Sequence, residues 1–95
     1  MLLLQKFKVS GHSMEPAIKN EQHVLVSKIP YFFPEPDVKE IVAFKKNKKI
    51  LIKRIIRKSG NKYFLAGDNL NDSLDSKNFG FVSKNYILGK VIYIF

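Results

Sequence analysis

Hydrophobic and polar residues alternate over short runs along most of this chain, the period of half-buried strands rather than of helices. Such runs lie at Lys6–Ser10, His23–Lys28, Glu40–Lys45, Lys49–Lys58, Lys62–Ala66 and Ile87–Phe95. They are rich in Val, Ile, Phe and Tyr and bounded by Gly, Pro, Asn and Asp, which predicts strands separated by turns. Lys45-Lys46-Asn47-Lys48-Lys49 reads as a hairpin connection, with Asn47 suited to a left-handed position. Pro30, Pro34 and Pro36 predict an extended loop over Ile29–Asp37. A short helical turn is expected around Met14–Lys19, after Gly11-His12-Ser13. The fold class is therefore mostly β: a compact antiparallel arrangement, half-barrel or sandwich, with one short helical turn.

Composition narrows this picture. Ninety-five residues, 45% of them hydrophobic, make a single globular domain. The absence of cysteine excludes disulfides, thiolate metal sites and a cysteine nucleophile. A formal charge of +9 would attract nucleic acid, an anionic membrane or an acidic substrate. Much of it lies in Lys45, Lys46, Lys48, Lys49, Lys53, Arg54, Arg57 and Lys58, which read first as a solvated hairpin with basic flanks. Met1-Leu2-Leu3-Leu4 meets Gln5 and Lys6 far short of the roughly 20 apolar residues of a membrane span. It also lacks the pattern of a secretory signal. These features favour a cytoplasmic or peripheral membrane location.

Three segments could carry chemistry. In Gly11-His12-Ser13-Met14-Glu15-Pro16 a serine sits on a rigid corner between a glycine turn and a proline, although such a serine is more often a helix N-cap. In Lys49–Ile56, strand alternation puts Lys53 on one face with Leu51 and Ile55, and Arg54 on the other with Ile52 and Ile56. Taken alone, Lys53 would carry its amine to solvent along its aliphatic stem. The third segment, Gly67 through Lys77, is dense in Asx and Ser turn formers. It lacks the residue spacing of a calcium loop, and neither a metal nor a cofactor is expected.

Each segment is weak singly, but their order and content together resemble the signal peptidase I family. That family shares a G-x-S-M-x-P nucleophile box, an I-K-R general-base strand and a G-D-N-x-x-x-S-x-D-S-R loop. Here these stand as Gly11–Pro16, Ile52-Lys53-Arg54 and Gly67–Lys77, and the resemblance runs from about Val9 to Val91. It implies a serine endopeptidase that removes a leader or pro-segment from a polypeptide, with Ser13 as nucleophile and Lys53 as general base. It further implies that Ser73 orients the lysine amine and that Met14 packs over the pair. Arg54 with Asp68, and Asp75 with Lys77, would be supporting ion pairs, and Asn69 belongs to the same supporting loop. Only 12 residues separate Arg54 from Gly67, where larger members insert a second β subdomain, and no membrane anchor is recognisable. This single-domain form resembles the small maturation proteases of nickel-type superoxide dismutase.

The chemistry sets a condition on Lys53. A lysine removes a serine proton only when neutral, so its pKa must fall from about 10.4 toward 7–8, on the order of 4 kcal/mol against the charged form. Desolvation among Leu51, Ile55 and Met14 could supply it, and a carboxylate touching the amine would reverse it. The chain also departs from the family pattern. Gly11 stands where some members carry a serine that donates to the oxyanion. Glu21-Gln22 and Lys39-Glu40 replace Gly-Asp pairs, and Lys77 replaces an arginine, losing bidentate pairing with Asp75.

Other readings compete. His12 adjoins Ser13, and a Ser-His-Asp triad is open on residue types alone, although neighbouring extended side chains diverge. A self-cleaving repressor-type Ser/Lys peptidase needs a cleavage site upstream of its nucleophile, and the 12 residues before Ser13 hold no Ala-Gly pair. A non-enzymatic basic β domain would bind nucleic acid or an anionic membrane, with Tyr31, Phe32 and Phe33 stacking on bases or dipping into lipid. Those aromatics lie apart from the lysine-rich hairpin. The favoured partners are therefore a polypeptide substrate, with peripheral contact to an anionic membrane and no nucleic acid.

Overall fold

Every run of alternating residues becomes a strand whose ends fall within a residue or two of those its pattern sets. The computed structural model describes residues 3–29, 35–69 and 80–95. Its strands are β1 (Leu4–Lys8), β2 (His23–Ser27), β3 (Ile41–Lys46), β4 (Lys49–Ser59), β5 (Lys62–Ala66), β6 (Val82–Ser83) and β7 (Ile87–Ile94). They form one sheet in the order β1-β2-β7-β3-β4-β5-β6, every neighbouring pair antiparallel. The sheet stays open, with β1 and β6 at its edges, and is not a closed barrel. The hairpin between β3 and β4 turns at Asn47, whose φ of 55° is the left-handed value expected of it.

The short helical turn is displaced from its expected place. Residues 13–17 form turns rather than a helix, held by single bonds from Glu15 N–H to His12 O (3.2 Å) and from Ile18 N–H to Met14 O (2.9 Å). Pro16 has no N–H to continue a helical ladder and disfavours α geometry at Glu15. The helical turn lies instead at Lys84–Tyr86, where the Ser83 hydroxyl accepts from the Asn85 N–H. It links the two-residue β6 to β7, and β6 is too short to show periodicity in the sequence.

The core gathers on both faces of β3. Ala43 packs into one cluster with Val9, Met14, Ile18, Val24 and Val26, while Val42 and Phe44 join Ile55, Tyr63 and Leu65 in the other. Successive residues of a strand point to opposite faces, so a central strand covered on both sides needs an unbroken apolar run, which Ile41-Val42-Ala43-Phe44 provides. The turn that carries Ser13 is thereby anchored in the first cluster by Val9 before it and Met14 within it.

Strand β7 runs between β2 and β3 with two register shifts, one opposite Leu25/Val26 and one opposite Ala43/Phe44. Each inserts an extra residue and resets which side chains face the core. Between them, Gly89 presses against β2: a Cβ there would sit 2.6 Å from the Ser27 carbonyl oxygen. Only a residue without a side chain permits that approach.

Two stability outcomes follow. Gly89→Ala should cost about 1–3 kcal/mol in urea unfolding, because backbone rather than a flexible side chain must yield. Tyr63 is fully buried, and its hydroxyl has no hydrogen-bond partner among the described residues. Tyr63→Phe should therefore leave stability unchanged or raise it by about 1 kcal/mol, since it removes a desolvated polar group and little volume. A loss above about 1 kcal/mol would show that the hydroxyl is bonded.

Candidate active site

Strand alternation aims Lys53 along with Leu51 and Ile55, and the fold buries all but 3% of it. The snorkelling alternative is thereby excluded. The turn after β1 carries Ser13 to the same place from forty positions away, and Lys53 Nζ lies 2.9 Å from Ser13 Oγ. Met14, 1% exposed, is packed beside them in the first core cluster and lines the same cleft.

The serine corner is built from backbone bonds. Val9 N–H donates to Gln22 O at 2.7 Å and Glu21 N–H to Val9 O at 2.8 Å, which closes the loop at its base. Gly11, at φ 102°, gives its N–H to Asn20 Oδ1 at 2.8 Å. A φ that positive makes any other residue costly at this position, although the space beside it is open. A serine at position 11 could thus not be added as an oxyanion donor without backbone strain. From the other side, Asn69 N–H donates to Ser13 O at 2.8 Å and Asn69 Nδ2 to His12 O at 3.1 Å. The peptide groups on both sides of the serine Cα region are held by one asparagine.

Arg54 follows Lys53 on β4 and so points to the opposite face. Its Nε and Nη2 each lie 2.8 Å from an oxygen of Asp68, a bidentate pair, and its Nη1 donates to Lys39 O at 2.8 Å. The bonded carboxylate raises the Arg54 pKa above its ordinary value. The arrangement directs the Asp68 charge to the guanidinium instead of to the amine of Lys53.

His12 turns elsewhere. Its Nδ1 lies 2.8 Å from Glu15 Oε2 with the ring half exposed, and the amine beside Ser13 Oγ is that of Lys53. The Glu15 carboxyl is held below the usual carboxylate range, first by this bond and then by the Asn20 N–H. Ser73, Asp75 and Lys77 lie outside the described residues, as do Tyr31, Phe32 and Phe33.

Some site contributions were not read from the sequence. Asn20 holds Gly11, and Lys39 supports Arg54 through its main-chain oxygen, a contact to which side-chain identity gives no clue. Glu21 and Lys39 have φ of 71° and 78°, each at the third position of a turn closed from residue 22 to 19 or from 40 to 37. Glycine suits that position best, so the turn geometry persists where the glycine does not.

A cleft of about 450 Å³ leads to Ser13 and Lys53, walled by residues 7–10 at the end of β1 and residues 49–52 of β4. Strand β5 pairs with β4 only from Arg54 onward, so among the described residues no strand covers Lys49–Ile52 on that side, and β1 is the outer strand of the sheet.

Comparison with known proteins bears on the family of the chain. The family model described as "Signal peptidase, peptidase S26" matches residues 1–62 and 57–95. A protein named Signal peptidase I from Buchnera aphidicola subsp. Baizongia pistaciae (strain Bp) is 50% identical over 34 residues. Another of that name from Buchnera aphidicola subsp. Schizaphis graminum (strain Sg) is 53% identical over 34 residues. Each alignment covers 36% of this chain and 11% of the relative.

The Arg54–Asp68 pair is open to a direct test. Asp68→Asn should lower stability by about 1–2 kcal/mol in urea unfolding, since a half-buried guanidinium loses its counter-charge. Arg54→Lys should recover only part of the pairing, because an ammonium cannot span both oxygens. Unchanged unfolding in Asp68→Asn would show that the pair supports nothing.

Proposed function

The chain belongs to the signal peptidase family, peptidase S26, and we propose that it is a serine endopeptidase working through Ser13 and Lys53 on a polypeptide that carries a leader or pro-segment. The observation that carries this reading is the 2.9 Å approach of a buried lysine amine to a serine hydroxyl at the end of an open cleft.

In this reading neutral Lys53 takes the Ser13 proton as Oγ attacks the scissile carbonyl carbon. The resulting oxyanion is met by the Ser13 backbone N–H and a neighbouring donor. Lys53 then gives its proton to the departing amine as the C–N bond breaks and an ester forms on Ser13. A water, deprotonated by Lys53, attacks that ester and restores both groups. Burial favours the neutral amine, and the bonding of Asp68 to Arg54 keeps one carboxylate from opposing it. The resemblance further implies that Ser73 orients the amine and that Asp75 pairs with Lys77, all three outside the described residues. The substrate lies extended between the free edges of β1 and β4 and adds main-chain bonds to each. A protein with a short leader, such as the maturation proteases resembled by this sequence act on, is the first substrate to try. No described helix is long and apolar enough to cross a membrane, and contact with an anionic membrane surface would be peripheral.

Ser13→Ala and Lys53→Ala should each lower cleavage of such a substrate by about a thousandfold or more, with circular dichroism unchanged. The sign of the pH dependence is set by the base, which works only when deprotonated. kcat/KM should rise with pH through the Lys53 titration and level off above it. Full activity in either variant, or a rate that falls across that range while the fold persists, would refute the assignment.

A further inference from the structure

The charged side chains that line the cleft among the described residues are all basic. Lys8 on the β1 wall and Lys49 on the β4 wall are exposed, and no described lining residue is a carboxylate. Among the described residues neither amine has an acidic partner. Four described carboxylates pair with other cations: Glu15 with His12, Glu35 with Lys84 and Lys58, Glu40 with Lys90, and Asp68 with Arg54. Two cations on an open groove, with no carboxylate among its described lining residues, repel a basic ligand and attract an acidic one.

Strand geometry gives the attraction a position. Lys49 and Lys53 are four residues apart on β4 and therefore share a face, with a separation along the strand of about 13 Å at about 3.3 Å per residue. A peptide paired to the open β4 edge advances at the same step, so the side chain beside Lys49 is about four residues from the bond beside Lys53. We propose that the cleft selects polypeptides bearing an Asp or Glu about four residues from the scissile bond, on the side that runs toward the start of β4. Lys49 recognises the carboxylate, and Lys8 adds to it from the opposite wall. This rests on the peptidase reading for the meaning of "scissile bond" but not for the binding preference itself.

Binding separates the two claims. The probe is a fluorescent extended peptide of about twelve Ala, Ser and Val residues, with one Asp moved along it, titrated against the full chain carrying Ser13→Ala. One position, with its immediate neighbours, should bind about three- to fivefold tighter than the uncharged peptide, the scale of an exposed ion pair. Lys at that position should weaken binding, and the gain should shrink between about 50 and 500 mM salt. Lys49→Gln should abolish the preference and Lys49→Glu invert it, whereas Lys62→Glu on β5, outside the cleft, should keep the preferred position. A gain that ignores position, or that Lys62→Glu removes as fully as Lys49→Gln does, would attribute it to the overall charge and overturn the proposal. So would peptides that fail to bind. Hydrolysis by the unsubstituted chain is scored separately: acid-selective binding without cleavage keeps this inference and refutes the peptidase, and cleavage without acid preference does the reverse.

Discussion

A lysine amine that is to accept a proton must be kept from water and from carboxylates, while still touching the group it deprotonates. Those demands conflict, because the apolar surroundings that favour the neutral amine also exclude the polar groups that would position it. Here the conflict is resolved by delivering the two partners from different parts of the chain. Strand β4 fixes Lys53 with its stem among apolar neighbours, and the corner after β1 brings the Ser13 hydroxyl to the end of that stem at 2.9 Å. Alternation along β4 contributes a second separation, since Arg54 necessarily points away from Lys53 and carries Asp68 with it. One carboxylate is thus held by the next residue in the sequence, on the face turned away from the Lys53 amine.

The rest of the fold makes this contact rigid. Met14, directly after the serine, is part of the core, so the corner cannot move without opening a cavity. Asn69 bonds to the main chain on both sides of Ser13 and ties the corner to the segment that also supplies Asp68. One segment therefore restrains the Ser13 corner and neutralises Arg54. Behind β4, the double-sided burial of β3 and the close passage of Gly89 against Ser27 fix the sheet on which Lys53 stands. Among the described residues β5 stops short beside β4, and the cleft opens there. Its two exposed lysines give the surplus positive charge a local consequence beyond solubility.

Strands were legible from the sequence because covered faces are written into residue order, as alternation where one face is covered and as an unbroken apolar run in β3, where both are. The Met14–Lys19 expectation failed where two local signals competed: an N-cap-like serine suggested a helix, and Pro16 prevented one. Strand β6 escaped because two residues carry no period. Within the site, Ser13, Lys53 and the Arg54–Asp68 pair could be named only because three ordered motifs resemble the signal peptidase I family, since each segment read alone favoured a simpler role. Asn20 and the Lys39 carbonyl could not, because they act through contacts to main-chain groups that many sequences would allow.

The sequence by itself determined the alternation that makes strands, the opposed directions of Lys53 and Arg54, and the presence of a serine on a turn. All of these are local, fixed by backbone geometry over a few residues. Only the tertiary structure decided that Lys53 is buried rather than extended into water, that its amine meets Ser13 rather than His12 doing so, and that Lys8 and Lys49 share one cleft. These depend on which strands become neighbours, and residues forty positions apart are brought together by pairing and core packing that no local pattern encodes.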